Sequence, residues 1–129
     1  MVLERAEIII RDGMMDEFLN VFIKSALPLT KRFTGLISFE AFRGVEDVHS
    51  VMFLAEWDSI EAHLASRSET AHAEFRSIVV PYTSSAKRTV HFSPVQTYGN
   101  VTRDRTTSLS ETRKQNANSE DQATLLHRW

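Results

Sequence analysis

The hydrophobic and polar positions change period four times along the first 98 residues, and those changes set out the secondary structure. From Val2 to Arg11 the pattern has period two: Ala6, Ile8 and Ile10 share one face, and Leu3, Arg5, Glu7 and Ile9 share the other. That is a strand with one oily and one mixed face. Asp12-Gly13 breaks it. Met14 to about Phe33 then has helical spacing, with Met15, Phe18, Leu19, Phe22, Ile23, Ala26 and Leu27 forming an apolar stripe. Pro28 removes a backbone donor near the end of this helix, which predicts a kink or break there, and Gly35 is the expected stop.

Alternation resumes over Leu36–Arg43, where Ile37, Phe39 and Ala41 oppose Leu36, Ser38, Glu40 and Phe42. A polar hairpin loop, Gly44 to His49, leads into Val51–Ala55, five consecutive apolar residues that need cover on both faces. Glu56 and Trp57 end this third strand. Asp58-Ser59 reads as the N-cap of a short helix reaching about Arg67. Ser68 is the expected cap of a further helix through Ala71, Phe75, Ile78 and Val79, ended by Pro81. Thr89 to Val95 gives the last strand, on which His91 is expected to face away from the helices.

The order is β-α-β-β-α-β, which predicts an α+β, ferredoxin-like fold: an antiparallel sheet with its helices on one face. The other face would expose Leu3, Ile9, Leu36 and Phe42, a patch that calls for a cover. A second copy of the same face is the least costly one, giving a homodimeric α/β barrel. From Gly99 the chain turns to Thr, Ser, Asn, Gln and mixed charge, with almost no apolar residue before Leu125-Leu126. The expected organisation is therefore a domain over residues 1–98 and a disordered polar tail over 99–129.

Composition narrows the chemistry. Cysteine is absent, so disulfides, thiolate catalysis and iron–sulfur ligation are excluded. The formal charge is −2, and neither part of the chain has the basic stripe that nucleic-acid binding needs. No apolar run approaches a membrane span, and Met1-Val2-Leu3-Glu4-Arg5 does not read as a signal peptide, so a cytoplasmic location with no membrane partner is the expectation. Nucleotide and metal-protease motifs, GxGxxG, the P-loop and HExxH, do not occur.

Four segments carry a family likeness: Ala26-Leu27-Pro28-Leu29-Thr30; Gly35-Leu36-Ile37-Ser38-Phe39-Glu40; Glu56-Trp57-Asp58-Ser59 with Glu61-Ala62-His63; and His91-Phe92-Ser93-Pro94-Val95. In order and spacing they resemble the antibiotic biosynthesis monooxygenase domain of the dimeric α/β-barrel superfamily, over about residues 1–98. The resemblance implies oxygenation of quinols or anthrones without a cofactor in some members, haem degradation in others, and no established activity in many. A cofactor-free oxygenase must bind a flat aromatic molecule, remove its proton and hold the anion while O2 reacts.

His63 and His91 are the candidate bases, since imidazole titrates near neutrality. Trp57 is the candidate pocket indole, with Phe53 as an apolar wall. Glu40 and Glu56 are carboxylates inside mainly apolar strands and need partners, for which Arg5, Glu7 and His91 are candidates. This set serves either to hold a substrate anion or as a salt-bridge network fixing strand register and the dimer. Anthrone-oxidising members place polar side chains such as Asn on the strand leading to the Trp, where this chain has Phe53 and Ala55. Haem-degrading members carry Asn on the first strand, which is missing here, although His72 could act as an axial ligand. The expected partners are a small aromatic substrate and O2, with no cofactor and no metal. The alternative is a non-catalytic ligand-binding or structural dimer.

Overall fold

The computed structural model describes residues 1–100. Strand β1 spans Val2–Ile10 and helix α1 Met15–Val21, continued by a π turn over Phe22–Ala26 and a 3-10 turn over Leu27–Arg32. Strands β2 (Leu36–Arg43) and β3 (Ser50–Trp57) follow, then helices α2 (Ile60–Ser66) and α3 (Thr70–Val79). A 3-10 turn over Val80–Tyr82 leads to the short strands β4 (Thr83–Ala86) and β5 (Val90–Phe92).

All strand pairs are antiparallel. The sheet order is β2-β3-β1-β4, and β5 also pairs with β1. The ferredoxin-like arrangement is therefore present, with the final strand split in two along β1. Sequence periodicity misses β4 because Thr83-Ser84-Ser85-Ala86 has no large apolar residue to alternate. The predicted tail falls mostly on residues 101–129, which lie outside the described residues.

The core fills the space between one sheet face and the helices. Val2, Ala6, Ile8 and Ile10 of β1 and Val51, Phe53, Ala55 and Trp57 of β3 pack there against Phe18, Phe22, Ile60, Phe75 and Val79. The expected break near Pro28 takes the form of the π and 3-10 turns. A π turn holds more residues than an α turn and so rotates the stripe. Ile23, expected in that stripe, is 60% exposed, while Phe22 is buried and stacked on Phe53 at 5.4 Å between ring centroids. Ser59 caps α2 as expected, its Oγ accepting the Ala62 amide at 3.0 Å. The cap position of α3, however, is Glu69 and not Ser68, and the Glu69 carboxylate binds the Thr34 amide and hydroxyl instead.

Gly35 ties the strand and helix layers together. Its φ of +84° favours glycine, and a Cβ there would lie 2.7 Å from Ala62 Cβ on α2. Its carbonyl accepts the Asp58 amide at 2.9 Å, fixing the turn from β3 into α2.

Candidate functional site

The site grows from the alternation of β1. The same face that carries Val2, Ala6, Ile8 and Ile10 also carries Glu4, a carboxylate among core residues. Strand pairing sets Glu4 opposite Ala55 on β3 and opposite His91 on β5, with the Trp57 indole close by at the end of β3. The Trp57 Nε1–H donates to Glu4 Oε1 at 2.8 Å, a buried charge-assisted bond. From α2, His63 stacks on the Trp57 indole, with ring centroids 4.7 Å apart and planes 25° apart. Its Nε2 lies 3.4 Å from Glu4 Oε1, close but not aligned as a hydrogen bond. Its Nδ1 is 2.8 Å from His91 Nε2. The polar atoms therefore run in one chain, from the indole to Glu4, then His63, then His91.

The placement of His91 corrects the sequence reading. It was expected on the face away from the helices, yet its backbone partner is Glu4 and its ring reaches His63, so it lies on the helix face. The reason is parity: the break between Ala86 and Val90 resets the alternation, and Phe92, paired with Leu3, takes the opposite face. His91 consequently cannot partner Glu56, which is paired with Leu3 and Ser38 on that opposite face and is wholly buried.

The other expected site residues separate into groups. Phe53 is core, packed against Phe22, Phe39 and Phe75. Arg5 is exposed on the open face with its guanidinium 5.5 Å from the centre of the Phe92 ring. Half-buried Glu40 is paired with Leu54 on the same face as Arg5. Glu7 accepts the Ser50 hydroxyl at 2.6 Å and lies 3.4 Å from Lys87. Of the residues singled out, only Trp57, His63 and His91 come together. Glu4 completes them and was overlooked, although the β1 alternation places it on the core face.

Burial dominates the electrostatics. Removal from water raises Glu4 to about 7, against the opposing effects of the Trp57 hydrogen bond and the Arg67 charge. It pushes His63 down to about 2, assisted by repulsion from His91, His72 and Arg67. His91 falls to about 4 through burial alone. His72 on α3 falls to about 4, through burial and then the charges of Arg76 and Arg67. Its ring packs on Phe33 at 4.7 Å and its Nδ1 accepts from Arg76, so it is not presented as an open axial ligand. Among the described residues no cluster of three or more His, Asp or Glu is placed to hold a metal ion.

A separate cleft lies at another place on the described residues. It encloses about 560 Å³ between the Leu27–Arg32 turn and the start of β2, with Leu27, Leu36 and Phe39 as apolar walls and Lys31 and Ser38 as polar ones. Phe33, stacked on Trp57 with centroids 6.3 Å apart, belongs to the core and does not line this cleft.

The sequence profile of the antibiotic biosynthesis monooxygenases matches residues 1–77. The chain belongs to that family. Bacillus subtilis (strain 168) protein YczJ is 26% identical over 96 residues, which is 74% of this chain and all of that one. Among solved structures, an antibiotic biosynthesis monooxygenase-type protein from Bordetella bronchiseptica superposes with a TM-score of 0.68 at 21% identity, over 74% of this chain and 97% of that one. A NIPSNAP-domain protein from Burkholderia xenovorans gives 0.62 at 20% identity, over 78% and 100%. These two likenesses establish the family fold and no more. Within the described residues no helix is long and apolar enough to cross a membrane.

Proposed function

We propose that this family member is a monooxygenase that acts on a quinol-like or polyketide-type aromatic with O2 and no added cofactor. The observation that carries the reading is the Trp57–Glu4–His63–His91 chain, a buried acid–base assembly beside an indole in a member of this family. Chemically, the substrate supplies the electrons: deprotonated, the quinol anion reduces O2, one oxygen atom replaces hydrogen at a ring carbon, the ring finishes as a hydroxyquinone, and the other oxygen leaves as water. The protein has to remove the proton and hold the anion. His91, half-buried at the outer end of the chain, is the group that meets substrate. Trp57 and His63 form the wall behind it.

The assembly is a homodimer in this reading, with two sheets facing each other. Phe42 and Phe92 support it, since each is more than two-fifths exposed on the sheet face opposite the helices. Sedimentation as a monomer at micromolar concentration would remove that part. The enzymatic part is tested in an oxygen electrode with a panel of hydroquinones and anthrone-type phenols, without flavin or metal. Uptake that falls at least tenfold in His91→Ala supports it, and no uptake above the protein-free rate refutes it. One observation favours a second reading, a ligand-binding dimer without chemistry: the 560 Å³ cleft and the histidine chain are separate places on the molecule. Saturable quinone binding with no oxygen uptake is its signature.

A further inference from the structure

We propose that Glu4, His63 and His91 form one proton relay, in which a proton taken up at His91 comes to rest on the Glu4 carboxylate and neither imidazole becomes charged. This rests on reading the site as one that deprotonates a substrate, and it assigns Glu4 the role of final acceptor.

The geometry fixes the direction. His91 Nε2 and His63 Nδ1 are 2.8 Å apart, so one of the two must carry the hydrogen. If it is His91 Nε2–H, then His63 Nδ1 accepts, His63 keeps its hydrogen on Nε2, and that hydrogen is on the side of Glu4, 3.4 Å away. His91 Nδ1, the ring nitrogen not used toward His63, is then a lone pair able to take up a proton. A substrate proton arriving at His91 Nδ1 drives His91 Nε2–H to His63 Nδ1 and His63 Nε2–H to a Glu4 oxygen. Afterwards both rings are neutral with hydrogen on Nδ1, Glu4 is a neutral acid, and the substrate carries the negative charge. Atoms and charge balance. A small rotation of either side chain closes the 3.4 Å step, and such contacts commonly tighten only when substrate binds.

The relay also removes a difficulty with His91 as a simple base. Burial disfavours imidazolium at both histidines, so a proton left on either ring would be weakly held. Burial has the opposite sense at a carboxylate, and Glu4 holds a proton far more readily than an exposed glutamate. Transfer through two neutral rings couples the open end of the chain to its best acceptor. The groups facing Glu4 are the Trp57 N–H from β3, His63 from α2, Arg67 at the C-cap of that helix, and His91 from β5, while His72 and Arg76 of α3 act on His63 and Arg67. The indole and Arg67 oppose proton uptake, so that Glu4 is ionised, and ready to accept, above neutrality.

The test is nitrogen-15 NMR of ring-labelled histidine together with carbon-13 of the glutamate carboxyls, followed from pH 8 to pH 5. In the wild type, one carboxyl titrating near pH 7 in step with a change of His63 and His91 from Nε2–H to Nδ1–H is the expected result. In Glu4→Gln, which keeps an acceptor for the indole, the tautomer change disappears. Either ring becoming imidazolium between pH 6 and 7, or a tautomer change that persists in Glu4→Gln, overturns the relay. Should that variant not fold, the wild-type carboxyl and ring signals decide alone: transitions at different pH values sink the proposal. Oxygen uptake separates this from the functional reading. In a folded Glu4→Gln, uptake reduced about 10²-fold supports the relay. Unchanged uptake sinks it while leaving the monooxygenase reading intact. Coupled titration with no uptake for any substrate does the reverse.

Discussion

Gly35→Ala is the most informative single change outside the histidine chain, because it acts on the joint between sheet and helix. Two separate costs can be worked out. The residue has φ +84°, and an L-residue held there loses about 1–2 kcal/mol relative to glycine. The added Cβ would also meet Ala62 Cβ at 2.7 Å, and a contact that short forces a backbone shift costing about 1–3 kcal/mol. Together the loss is about 2–5 kcal/mol, a large part of what a domain of this size holds. The shift falls on α2, where Ala62 is followed by His63, so the ring should move against Trp57 as well. Urea unfolding of wild type, Gly35→Ala, Ala62→Gly and the double variant forms the assay. The double variant should recover the packing part and keep the backbone part, after allowing for the glycine cost of Ala62→Gly alone. A loss below about 0.5 kcal/mol in Gly35→Ala, with unchanged slope, would refute the reasoning.

Acid should destabilise the domain in a defined window. His63, His72 and His91 have depressed folded values, so what they contribute is present above pH 6.5 and is lost as pH falls, whereas Glu4, raised to about 7, contributes below its ordinary 4.5 and loses that contribution as pH rises to about 7. Between pH 6.5 and 4.5 three protons favour the unfolded chain and one the folded chain, a limiting loss of about 2–3 kcal/mol per pH unit; equal urea midpoints at pH 6.5 and pH 5 would contradict it. Trp57→Phe removes the N–H that holds the Glu4 charge, so the Glu4 carboxyl should titrate still higher than about 7 by carbon-13 NMR. Ser59→Ala removes the α2 cap and should cost about 1 kcal/mol in urea unfolding.

The fold was largely legible because its periods are strong. Alternation in β1, the apolar run Val51–Ala55 and the Ser59 cap appear where the pattern puts them, whereas β2 follows its pattern only from Ser38 onward, because a bulge between Leu36 and Ser38 turns Leu36 from its expected open face onto the core. What escaped the pattern has a physical reason in each case. Ile23 moved out because a π turn changed the helical phase, and β4 went unseen because it is held by backbone pairing with β1 and not by side-chain burial. The site was legible only in part. Trp57 and His63 are near in sequence, joined by the capped turn into α2, and come together, but His91 lies on the face opposite to the expected one because the strand carrying it is not continuous with the one before it. Glu4 was available from the alternation of Val2, Ala6 and Ile8, and a carboxylate in that row is itself a signal that something must meet it.

The brevity of β5 has its own consequence. Three residues, paired with β1 through Leu3, Glu4 and Arg5, carry His91. Detaching so short a segment exposes far less apolar surface than opening β1 or β3, so its free energy of opening lies well below that of global unfolding. Hydrogen exchange should therefore find the β5 amides among the fastest of the sheet. In mild denaturant the outermost histidine would leave while the Trp57–Glu4 pair and the core remain closed, so the oxygenase activity proposed for His91 would fade before the fold does.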